Sequence, residues 1–111
     1  MSSVRVAFIS DLHFDHNPGL LPVLERRLEN LRVDMLLLGG DLFSGFSRLG
    51  TVLRRLHRHV PEVAFLPGNH DLWITETAAS VTSLDAYSRL LPGIAYRSGC
   101  HYLGLEPVYH N

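Results

Sequence analysis

Residue types that bind cations or carry protons gather in three short clusters: Asp11-Leu12-His13, Gly40-Asp41 and Gly68-Asn69-His70-Asp71. Each cluster follows directly on an apolar run. The intervals from Asp11 to Asp41 and from Asp41 to Asn69 are each about thirty positions, the length of one strand-to-strand crossover. If the runs are parallel neighbours in one sheet, all three clusters emerge at its carboxyl end, where open α/β sheets hold their ligands. Two carboxylates, two imidazoles and an amide oxygen would then meet. Such hard and borderline donors suit divalent Mn, Fe or Zn, with no soft thiolate to favour copper. Asp11 and His13 are two apart, so on an extended segment they project to one side and can reach one ion. A carboxylate such as Asp41 has two oxygens and can bridge two ions. Gly39, Gly40 and Gly68 allow the backbone to turn tightly beside these residues.

The elements that must position these clusters are legible as alternating periods. Val4, Val6, Phe8 and Ile9 form a short β-branched and aromatic run that reads as a buried strand. Leu20, Leu21, Leu24, Leu28 and Leu31 recur at helical spacing, with Glu25, Arg26, Arg27 and Glu29 opposite them. Pro22 is tolerated only in a first turn, which places the helix start near residue 19. Met35 to Leu38 repeats the strand pattern, and Leu49, Val52, Leu53, Leu56 and Val60 repeat the helical one. Val63 to Leu66 is a third strand. The order predicts βαβ units and a mainly parallel sheet, an α/β fold. Further on, Ser83 to Leu91 reads as a third helix closed by Pro92-Gly93. Ile94 to Tyr96 and His101 to Leu105 read as short strands forming a hairpin around a Ser98-Gly99 turn. The sequence stops at Asn111, just after the apolar Val108-Tyr109 and with no closing helix, so truncation is expected.

Composition bounds the function classes. With 111 residues, 46% of them apolar, one core is feasible and disorder is not expected. A net charge of -1 gives no strong positive field for nucleic acid. The single cysteine, Cys100, cannot form an internal disulfide and reads as a structural thiol rather than a nucleophile. Neither a signal peptide nor a membrane-spanning run is evident, so a cytoplasmic location is expected.

Taken together, Asp11-x-His13, Gly40-Asp41 and Gly68-Asn69-His70-Asp71 resemble the first three motifs of the calcineurin-like metallophosphoesterases, in order and at ordinary spacing, from Val4 to about Trp73. The resemblance implies that residues 1–111 are the N-terminal part of such a domain, the first half of an αββα sandwich. It implies two divalent cations (Mn, Fe or Zn), with Asp11 and His13 on the first, Asp41 bridging both, and Asn69 on the second through its amide oxygen. His70 would act beside the phosphate as general acid or hydrogen-bond donor, with Asp71 orienting its ring. The implied reaction is in-line attack of metal-bound hydroxide on a phosphate-ester substrate. The family's later histidine motifs, a lone His and a Gly-His-x-His element, are absent. Their absence leaves three protein ligands for the first ion and two for the second. The alternative is therefore a catalytically silent fragment or single-metal-binding module, and inactivity is the expectation for these 111 residues alone. Ser44 stands where many relatives carry an acidic or amide residue, a change expected to bear on the surroundings of the ions.

Each feature also has an ordinary explanation. An Asp after a strand is a common helix cap, and Gly-Asp a common turn. His101 and His110 read as strand or surface histidines rather than substitute ligands, and His16 as a solvated loop residue rather than a substrate contact. His57 and His59, with Arg54, Arg55 and Arg58, read as a solvated helix face, with phosphate steering as the alternative. Trp73 reads as a packing residue. The three clusters have to be explained together, and coincident turns do not explain His13, Asn69 and His70.

Overall fold

A computed structural model describes residues 3–14, 16–42, 48–67 and 89–103. Four strands form one sheet in the order β1-β2-β3-β4: β1 (Val6–Ile9), β2 (Met35–Leu38), β3 (Glu62–Phe65) and β4 (His101–Tyr102). Every pairing is parallel. The register sets Ile9 against Leu38, Leu38 against Phe65 and Phe65 against Tyr102, so four strands finish in one row. Whatever follows β1 and β2 therefore leaves the sheet side by side.

Three helices are described: α1 (Leu20–Leu31), α2 (Leu49–His57) and α3 (Leu91–Arg97). In α1, Pro22 falls in the first turn, as its missing N–H requires. The helix stops at Arg32, which adopts a left-handed φ of 51° while its N–H donates to the Leu28 carbonyl at 3.2 Å. In α2, Leu49, Val52, Leu53 and Leu56 are all buried, the spacing of a single apolar stripe. Val60 is buried too, but it lies in the turn beyond the helix.

Right-handed crossovers between strands laid down in sequence order put successive helices on one face of the sheet. The burial agrees. Leu36, Leu38, Val63, Phe65 and Tyr102 are fully buried and join Leu21 and Leu28 of α1, the α2 stripe, and Leu91 and Ala95 of α3 in one core. Val6 and Phe8, which alternate with that face on β1, remain 54% and 68% exposed. A parallel sheet with helices on one face is the α/β half-sandwich expected from the sequence. No helix is long and apolar enough to cross a membrane among the described residues.

The sequence reading fails between residues 91 and 105. Pro92-Gly93 does not close a helix; it lies in the first turn of α3, where Pro is preorganised. Ile94 to Tyr96 is not a strand but the middle of that helix. Burial of Leu91 and Ala95 four residues apart, with Ile94 packed alongside, overrides local β-propensity. The Ser98-Gly99 turn is present, with Gly99 at a φ of 77° and its N–H donating to Tyr96 at 3.0 Å. It feeds His101–Tyr102 into the sheet parallel to β3 rather than into a hairpin. Residues 83–88 of the expected third helix and residues 104 and 105 of the expected strand lie outside the described residues.

Candidate metal centre

Beyond the row ending in Ile9 and Leu38, β1 and β2 do not separate. Gly39 N–H donates to the Ile9 carbonyl at 2.7 Å, and Asp11 N–H to Gly40 at 3.0 Å. His13 N–H then donates to Asp41 at 2.9 Å and Phe14 N–H to Leu42 at 2.8 Å. Four backbone bonds thus tie the two loops into one irregular ladder. Gly40 has a φ of 99°, a conformation that favours glycine. Gly39 is needed for a different reason. A Cβ there would come within 2.9 Å of both the Phe8 ring and Ser10 Cβ.

The ladder holds three non-glycine residues in left-handed backbone: Asp11 at a φ of 58°, His13 at 45° and Asp41 at 56°. Asp and His are among the types that tolerate this region best. The segment carrying Asp11 and His13 is therefore not extended, contrary to the expectation that strand geometry aligns their side chains. The two left-handed turns do it instead. A turn follows directly, with the N–H groups of His16 and Asn17 both donating to the His13 carbonyl at 3.0 Å.

This backbone brings one donor atom each of Asp11, His13 and Asp41 within 4.8 Å of one another. A cation about 2.1 Å from each ligand needs donors roughly 3–4 Å apart, so small rotamer adjustments close the triad. Two carboxylates and an imidazole fit a hard to borderline divalent ion. Asp11 is exposed and the other two are half-buried, leaving an approach from solvent. Ser10 Oγ donates to Asp11 Oδ2 at 3.3 Å.

Asn69, His70 and Asp71, with Gly68, Ser44, Trp73 and His110, lie outside the described residues. His101 lies at the start of β4, three strands from β1, which is roughly 14 Å across the sheet. It is no substitute ligand for the triad. His16 is exposed in the loop. Cys100 is buried, burial pushes its thiol up to about 11, and Sγ points at the Ser98 carbonyl 3.7 Å away. It is a protonated packing residue at neutral pH.

The basic group on and after α2 has structural partners. Arg55 pairs with Glu25 of α1, and His59 places Nε2 2.9 Å from Glu25 and Nδ1 2.9 Å from Glu29. His57 Nδ1 lies 2.9 Å from the Val60 carbonyl. Burial raises the Glu25 carboxyl, but hydrogen bonds from Arg55 and His59, together with their charges, outweigh it and hold the group below the ordinary value. Arg55 and His59 thus tie α2 and the turn after it to α1, a role missed in the sequence, although Glu25 and Glu29 one turn apart were its signal.

Over residues 4–108 the chain matches the family model described as calcineurin-like phosphoesterase. It is 37% identical over 67 residues to the acyl-carrier-protein phosphodiesterase PptH of Mycobacterium tuberculosis, covering 60% of this chain and 20% of that protein. It is 26% identical over 114 residues to the DNA double-strand break repair protein Mre11 of Nanoarchaeum equitans, covering 85% of this chain and 29% of the relative. The crystal structure of phosphopantetheinyl hydrolase (PptH) from Mycobacterium tuberculosis superposes with a TM-score of 0.69 at 26% identity, covering 88% of this chain and 34% of that one. The chain thus spans between 20% and 34% of the length of these relatives.

Proposed function

Because the chain belongs to the calcineurin-like phosphoesterases, a metal-dependent family, we propose that it carries the N-terminal portion of a site that hydrolyses a phosphate ester on a pair of divalent cations. The observation that supports this most directly is the convergence of Asp11, His13 and Asp41 at the ends of two adjacent parallel strands. Asp11 and His13 bind the first cation. Asp41 bridges to the second, which Asn69 also binds through its amide oxygen. His70 donates a hydrogen bond or proton to the ester oxygens, and Asp71 orients its imidazole. When bound, the cations supply an activated water and neutralise charge on the phosphate oxygens. The similarity to a protein named a phosphodiesterase favours a diester over a monoester as substrate.

The test is Mn binding and hydrolysis of bis-p-nitrophenyl phosphate by the full chain and by Asp41→Asn. Two ions per chain and turnover lost in the variant are expected. No turnover of this diester or of p-nitrophenyl phosphate with any divalent metal would remove the hydrolase reading for this chain. A second reading, a single-metal-binding module without catalysis, is favoured by the donor set among the described residues, which suffices for one cation. It requires one ion per chain and no turnover dependent on Asp41.

A further inference from the structure

A cleft of about 270 Å³ lies between the beginnings of α1 and α2, on the helix side of the sheet. Its floor is apolar: Phe14, Leu21 and Val52 are buried core residues, and Pro18 closes one side. Its rim carries Arg48, Thr51 and Arg55, and no carboxylate lines it. The cleft is built on the same backbone ladder as the metal triad. Phe14 is the residue after His13, and its N–H donates to Leu42, the residue after Asp41. We propose that this cleft binds an apolar, negatively charged organic group belonging to the phosphate ester processed at the adjacent triad.

Three properties select that ligand. The volume is just under the ~300 Å³ at which pockets begin to hold a whole small molecule, so it suits one ring or a short branched chain. The Phe14, Leu21, Val52 and Pro18 surfaces reward an apolar body, because water displaced from them makes no hydrogen bonds there. The guanidinium groups of Arg48 and Arg55 select an anion over a cation. Arg55 is steadied by its ion pair with Glu25, which fixes its position at the rim. The link to the substrate rests on the proposed hydrolytic function; the existence of the site does not.

The experiment has two arms, so the two ideas fail separately. In the first, metal-free chain is titrated with 4-phenylbutyrate and with butyrate while the methyl resonances of Leu21, Thr51 and Val52 are followed by NMR. Saturable shifts at these methyls are expected, with phenylbutyrate binding at least fivefold tighter. Thr51→Trp, which fills the mouth from an exposed position, and Arg48→Glu each weaken that binding at least fivefold. Shifts that do not saturate, or binding that survives both variants, overturn the site. In the second arm, Mn-loaded chain is titrated with 4-phenylbutylphosphonate and methylphosphonate. A tenfold preference for the aryl compound, lost in Thr51→Trp, is expected. Equal affinity with Mn bound overturns the assignment to the substrate. Failure to bind Mn at all overturns the metal reading, and the first arm then decides the cleft alone.

Discussion

Asp11, His13 and Asp41 hold left-handed backbone that costs most side-chain types roughly 1–2 kcal/mol per residue. Backbone strain concentrated at three polar residues that converge is the pattern of a site whose geometry is enforced by its surroundings. Here the enforcement is the four-bond ladder between the two loops. The two roles of Asp41 can be separated by substitution. Asp41→Asn keeps a residue type at home in this conformation and removes the charge. We expect stability within about 0.5 kcal/mol of the parent and Mn affinity reduced more than about tenfold. Asp41→Val adds β-branching to a positive φ and should cost about 1–2 kcal/mol as well as the metal. Urea denaturation without metal, paired with Mn titration, checks both; equal stability of the two variants would contradict the strain.

Two elements carry consequences of their own. The Glu25 carboxyl, held below the ordinary 4.5 by Arg55 and His59, stabilises the fold above pH 4.5. That contribution is lost as pH falls through the lowered folded-state value. Glu25→Gln should therefore cost about 1 kcal/mol at pH 7, and should lose stability less steeply than the parent below pH 4.5. Denaturation midpoints across that range measure it. In α3, Gly93 has room: a Cβ there meets nothing nearer than Arg97 Nη1 at 3.5 Å. Within a helix Gly93→Ala should raise stability by about 0.5–1 kcal/mol. In the closing turn read from the sequence, it would have gained nothing. A fall in the thermal midpoint of Gly93→Ala would count against the helix.

At the scale of the whole molecule, the sheet is covered by helices on one face, while Val6 and Phe8 stay exposed on the other at β1, an edge strand. A cation that joins two crossover loops binds only the folded chain and so stabilises it by mass action. At a Mn concentration one hundred times the dissociation constant, the gain is about 2.7 kcal/mol. We expect the thermal midpoint to rise with Mn and return on chelation, and Asp41→Asn to remove the effect. A midpoint indifferent to Mn would argue that the triad is not assembled in solution.

The parallel α/β order and the placement of Asp11, His13 and Asp41 near one sheet end were legible in the sequence, because period-two and period-3.6 patterning reports burial directly. Met35–Leu38 was read to the residue, and α1 to within one at its start. Three features came only from the tertiary structure. The left-handed turns that bring Asp11 beside His13 depend on hydrogen bonds to a loop some thirty residues away. The helix at Ile94-Ala95-Tyr96 forms because Leu91 and Ala95 meet a core built by earlier elements. Arg55 and His59 became an inter-helix tie once α1 presented Glu25 and Glu29 to them. Local patterning records how often a side chain is buried; it does not record which distant partner buries it.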